Sequence, residues 1–180
     1  YSRYEAEFEY LITSGITHAT HAIANPKYPL SESVTKNLLK LYLNDVGLLT
    51  GILYGNNVRP VLNDMRSINL GSVYENAVAQ ELASHGYKLF YYDNRSKGEV
   101  DFLIDDHKTI SVLPVEVKSG KDYTKHSALD NFMKVPDYHI SSALVLNDDR
   151  EIRVVNNVTY APVYNVMFLS AKGQDPEDLI

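Results

Sequence analysis

Asp101 and the triplet Glu116-Val117-Lys118 are the residues whose types and spacing could do chemistry in this sequence. Residues 98–104 alternate polar and apolar side chains, which predicts a half-buried strand. With a side-chain period of two, Glu99, Asp101 and Leu103 share one face of it, and Val100, Phe102 and Ile104 share the other. Residues 105–109 form a polar turn, and residues 112–118 return as a second strand. Its Val115 and Val117 face the core, with Glu116 and Lys118 opposite. A hairpin of this kind brings Asp101 beside Glu116, with Lys118 two residues along the same edge. Two carboxylates so placed repel unless a cation sits between them, and hard oxygen ligands suit Mg²⁺ or Mn²⁺. Such a cation polarises a phosphate and lowers the pKa of a bound water, which Lys118 could orient. Glu-x-Lys alone is also an ordinary exposed strand edge, so the rest of the chain must decide.

The elements that would position these residues follow from periodicity. Tyr4, Phe8, Leu11 and Ile12 mark an amphipathic helix ending at Gly15. Residues 16–24 read as a strand, residues 25–29 break it, and residues 38–43 return as another. Helix, strand, loop, strand is the pattern of the second half of a winged-helix module; read plainly, it is a helix-plus-hairpin packing element. Residues 46–53 form a short apolar helix. Leu70, Val73, Tyr74, Ala77, Val78 and Leu82 mark a longer one that Gly86 terminates. Its Glu75 shares a face with Val78, Ala79 and Leu82 and points toward the sheet, or is an ordinary glutamate favoured by the helix dipole. Beyond the strand expected at 88–92 and the hairpin, residues 124–133 read as a helix, and 140–146 and 151–155 as strands. The expected division is a winged-helix-like element over 1–55, a linker over 56–69 and an α/β domain over 70–180 with a mixed sheet.

Taken together, residues 41–49, 71–76, 99–102 and 114–120 resemble the PD-(D/E)XK, or restriction-endonuclease-like, superfamily. More narrowly, they are similar to the C-terminal domain of unknown function carried by many prokaryotic AAA+ ATPases. That resemblance implies a core ordered α-β-β-β-α-β and hydrolysis of DNA phosphodiester bonds. It implies Asp101 and Glu116 as metal ligands with the carbonyl of Val117 as a third, Lys118 as a catalytic residue, and Glu75 as the acid of the first helix. Arg95, Lys97, Lys121 and Lys125 flank the two strands and are expected to meet or steer substrate phosphates, and Gly120 lets the backbone turn. Glu99, on the face of Asp101, reads as an exposed strand-end acid in preference to an auxiliary ligand. The resemblance also implies an AAA+ motor upstream in the full protein. The chain holds no Gly-x-x-x-x-Gly-Lys-Ser/Thr, so ATP is expected to bind only in that missing part.

Composition sets outer limits. The 180 residues suffice for one medium domain. Without cysteine there is neither a disulfide nor a thiolate metal site, which fits a cytoplasmic protein. No apolar run approaches a membrane span and no secretory leader opens the chain. It begins without Met inside a helical pattern, which reads as a fragment. His18 and His21 fall on opposite strand faces, and His126 and His139 lack a paired acid, so no histidine metal set is expected. The formal charge of −6 opposes tight standalone DNA binding. Between Lys88 and Lys134, however, basic and acidic residues are equal in number. The alternative to a metal-dependent nuclease is therefore a nuclease-fold module without activity that binds DNA or a partner; a winged-helix adaptor is a more distant third.

Overall fold

The structure, a computed structural model, describes residues 2–34, 38–55, 59, 69–120 and 122–171. A short 3₁₀ turn leads into α1 (Glu5–Thr13), which carries Glu5 and Glu7 in its first turn and gives way at Gly15, where φ is +75°. Strands β1 (Thr17–Ile23) and β2 (Leu39–Leu43) follow, then α2 (Val46–Tyr54), whose N-cap Asp45 accepts from the amide of Gly47. Next come α3 (Gly71–Ser84), β3 (Phe90–Asn94), β4 (Gly98–Asp106), β5 (Ser111–Val117), α4 (Ser127–Met133), β6 (Ala143–Asn147), β7 (Arg153–Val155) and β8 (Val158–Pro162). Gly86 ends α3 with φ +87°, the left-handed position that glycine adopts without a Cβ penalty. No helix among the described residues is long and apolar enough to cross a membrane.

All eight strands of the described residues join one mixed sheet in the order β2-β1-β3-β4-β5-β6-β8-β7. The β1–β3, β5–β6 and β6–β8 pairs are parallel, and the others are antiparallel. Apolar residues form two layers. Val78, Ala79 and Leu82 of α3 pack with Phe102, Ile104, Val115, Val117, Leu144 and Leu146. Leu129 and Phe132 of α4, with Tyr138, pack with Tyr92, Val100, Leu103, Ala143 and Val145. Every residue of β6 is buried, as a parallel strand covered on both faces requires.

Two expectations change, one lies outside the described residues and two elements are new. Residues 1–55 are not an element apart from the sheet: β1 lies against β3 with His21, Ala22 and Ile23 opposite Phe90, Tyr91 and Tyr92, and Ile23 is fully buried. Alternation fits a free hairpin as well as an inner strand, and the pattern holds no information about the partner; the winged-helix-like reading fails on that point. The linker expected over 56–69 lies almost wholly outside the described residues. The facing of β4 also changes, because Val100 and Leu103 share one apolar layer while Phe102 and Ile104 share the other. Finally, β8 and the 3₁₀ turn Val163–Phe168 had no counterpart in the sequence reading. The short run 158–162 lies between the edge strand β7 and a turn, and its period is too brief to register.

If β1 belongs to the sheet, urea should unfold the protein in one transition, and Ile23→Ala should lower its midpoint by an amount equivalent to about 2–5 kcal/mol. Two separable transitions, with Ile23→Ala affecting only one, would mean that the amino-terminal strands fold apart.

Candidate functional site

The site begins with a bulge. Leu103 lies opposite Phe90 and Val100 opposite Tyr92, so β4 takes three steps where β3 takes two. The extra residue falls at Asp101 and Phe102. Bulges re-aim side chains and interrupt pairing, and both happen here. The β4–β5 pairing runs from Asp106↔Ser111 to Phe102↔Val115 and stops. Past it, the amide of Val117 donates to Oδ2 of Asp101 at 2.7 Å in place of a β4 carbonyl. The Lys118 amide donates to Leu146 O at 2.8 Å, so β5 stays tied to β6 while it parts from β4.

Glu116 alternates out of the layer that Val115 and Val117 help to build, yet it is only 5% exposed. Its Oε1 lies 2.6 Å from Nζ of Lys118. Its Oε2 is buried with no hydrogen-bond partner. An orphaned carboxylate oxygen carries a desolvation cost that nothing in the protein offsets. The Asp101 carboxyl is pushed up to about 8, chiefly by burial and then by the charges of Glu116 and Glu75; the Val117 amide and Lys40 pull the other way and lose. Burial lowers Lys118, but its bond to Glu116 and the charges of Glu116, Asp101 and Glu75 outweigh that and hold the ammonium charged. Among the described residues no three Asp, Glu or His side chains converge as a ready-made metal site. The acidic group is a carboxylate pair with a lysine and a third acid at longer range.

Glu75 reaches this group from α3. Its Oε2 accepts from the hydroxyl of Tyr42 on β2 at 3.2 Å. Burial, then the charges of Glu75 and Asp101, raise the Tyr42 phenol far above its usual range, so it stays a donor. The Tyr42 ring packs on Phe102 with centroids 5.4 Å apart. Asn76, 2% exposed, clamps β2 to α3: its Oδ1 accepts from the amide of Leu43 at 2.8 Å and its Nδ2 donates to the carbonyl at 2.9 Å. Lys40, two residues before Tyr42 on β2, ion-pairs with Glu99 and lies 4.8 Å from the ring centroid of Tyr91.

Not every expected residue joins this group. Arg95 is an exposed turn residue. Lys97 sits over the ring of Tyr138, 5.5 Å from its centroid, and Lys125 pairs with Asp122 at 3.5 Å. Lys121 lies outside the described residues. His126 does have a paired acid, contrary to expectation. Its Nδ1 is 3.1 Å from Asp130, one helical turn on, and its Nε2 is 2.7 Å from the Tyr160 hydroxyl, in a buried packing contact. Sequence reasoning missed Lys40, Tyr42 and Asn76. A buried-face asparagine in α3 and the Lys-Leu-Tyr-Leu alternation of β2 were the available signals. A cavity of about 910 Å³ is lined by Tyr28, Ile110, Tyr138 and His139 and includes none of the acidic group. Volume alone therefore does not identify the site; buried uncompensated charge does.

The fold and site define a mixed α/β domain with an acidic pair and a lysine where two central strands part. Residues 70–166 match the family model described as domain of unknown function DUF4143, and the chain belongs to that family. No curated protein and no solved structure matches it.

The pH dependence of stability follows from Asp101. A carboxyl that titrates near 8 in the folded chain and at its ordinary value when unfolded keeps a proton that the unfolded chain releases. Stability of the metal-free protein should therefore fall as pH rises from about 4 to about 8. Asp101→Asn removes that loss and keeps a carbonyl for the Val117 amide. In EDTA it should be stabilising relative to wild type at pH 8 and much less so at pH 5, as read by urea unfolding. An advantage that shrinks toward pH 8 would show that Asp101 is ionised without strain.

Proposed function

We propose that this domain hydrolyses phosphodiester bonds in DNA with Mg²⁺ or Mn²⁺. The observation that carries the reading is the orphaned Oε2 of Glu116, buried next to an Asp101 carboxyl that resists ionisation. Buried negative charge of this kind calls for a cation. Two carboxylates are enough for Mg²⁺, which keeps several waters and takes further oxygens from the substrate. Asp101 and Glu116 would hold it, with the Val117 carbonyl as a further ligand. The ion would supply a Lewis acid for the phosphate and a lowered pKa for a bound water.

The chain's own residues do the rest. Lys118, charged and about one-third exposed, keeps positive charge beside the point where negative charge grows on phosphate. Tyr42 fixes the orientation of Glu75, and the Val117 amide fixes Asp101. Arg95, Lys97 and Lys125 lie outside the acidic group and would act only as peripheral phosphate contacts. The motif resemblance implies an AAA+ motor as the covalent partner that presents DNA, with ATP bound there.

One observation favours a second reading. Lys118 already lies on Oε1 of Glu116, and that pair neutralises itself, as an inactive DNA- or partner-binding module would require. Supercoiled plasmid separates the two. The nuclease reading expects slow nicking in Mn²⁺ or Mg²⁺, none in EDTA, and losses of about 100-fold or more for Asp101→Asn, Glu116→Gln and Lys118→Ala. Equal nicking by all four proteins would identify a contaminant. Plasmid binding without nicking, and no uptake of Mn²⁺ by calorimetry, would establish the binding module.

A further inference from the structure

We propose that Lys40 and the β2 strand that carries it form a second phosphate subsite, so that the site engages two successive phosphates of one strand and depends on residues outside the family-matched segment. This rests on the nuclease reading above. Lys40 and Tyr42 are two apart on β2 and so share a face. Tyr42 is locked onto Glu75 and Phe102, which fixes the stretch of β2 from which Lys40 projects. Asn76 fixes β2 itself, through both backbone groups of Leu43. Lys40 thereby approaches the acids from the side of β2, whereas Lys118 approaches from the end of β5. Its ammonium interacts with Glu99, Asp101 and Glu75, and Lys118 interacts with Glu116, Asp101 and Glu75. Two lysines on separate elements thus bracket one set of carboxylates.

The state of Lys40 suits a group waiting for an anion. Its side chain is 27% exposed and that of its partner Glu99 47%. An ion pair with this much solvent access is weak, so a phosphate competes with Glu99 at little cost. Tyr91, 6% exposed, lies beneath the ammonium and stabilises the cation without neutralising it. A lysine needed only to hold the fold would not have to keep its head group at the surface beside a carboxylate that can be displaced.

The test measures binding of a short fluorescein-labelled DNA duplex to the full chain by anisotropy, over a range of salt, with Ca²⁺ replacing Mg²⁺. Lys40→Gln should weaken binding and flatten the slope of log K against log salt by about 0.9, the contribution of one phosphate contact in duplex DNA. Lys40→Arg should restore the slope. Glu99→Gln should tighten binding in the wild-type background and have little effect with Lys40→Gln, because its benefit runs through the freed lysine. Mn²⁺ uptake and the thermal midpoint of Lys40→Gln should stay near wild type. An unchanged salt slope in Lys40→Gln, with wild type binding normally, would reduce Lys40 to a structural partner of Glu99 and leave the nuclease reading intact. Wild type that binds neither Mn²⁺ nor duplex would overturn both.

Discussion

The bond from the Val117 amide to the Asp101 carboxylate decides how the centre of this sheet is used. A strand in mid-sheet normally spends its amides on its neighbours' carbonyls, and a buried amide left unpaired is costly. The bulge in β4 takes the expected carbonyl out of register and supplies a side-chain oxygen instead. Pairing can then stop without an orphaned amide, while β5 keeps its bonds to β6. The opening between β4 and β5 is thus a stable feature of the backbone. Its cost moves from the amide to the side chains, because Glu116 is now buried, and Asp101 partly so, at the point where the strands part.

Two lysines and one amide face that accumulation of negative charge, and they do not balance it. For Asp101, burial and two like charges outweigh the Val117 hydrogen bond and the charge of Lys40. For Glu116, Lys118 satisfies one oxygen only. An unpaired or half-paired buried carboxylate is destabilising, so the surrounding packing must carry it. The packing is well suited to that: α3 covers one face with Val78, Ala79 and Leu82, and α4 covers the other with Leu129 and Phe132. Such an arrangement gains stability from whatever brings positive charge to the opening, which under the proposed reading is a divalent ion.

Much of this was legible in the residues. The order helix, three strands, helix, strand from α3 to β6 followed from period and punctuation, with Gly86 as the clearest stop. Glu75, Asp101, Glu116 and Lys118 are electrostatically linked in the structure. Hidden were the features that depend on register and on partners. A bulge leaves no compositional mark, so strict alternation assigned Val100 to the layer of Phe102 and Ile104 instead of that of Leu103. Pairing of β1 with β3 is a contact across some seventy positions, and nothing in residues 16–24 states it. Lys40 and Tyr42 became visible as site residues only once β2 had a place in the sheet.

Net charge and local charge pull apart in this chain, and the difference bears on how a nucleic acid would reach the site. A formal charge of −6 gives no long-range attraction to DNA. Within a Debye length of about 8–10 Å only nearby groups count, and there Lys40 and Lys118 stand against three acids. With Asp101 protonated the five groups only balance in the absence of a divalent ion; an ion that displaces that proton leaves them, with its own charge, net positive. Under the proposed reading, substrate affinity is therefore gated by the ion rather than by the surface. A domain built this way would capture DNA poorly from dilute solution and act on DNA held close by another module. Under that reading, the resemblance to ATPase-linked domains and the net negative charge express one constraint: delivery would come from outside the domain.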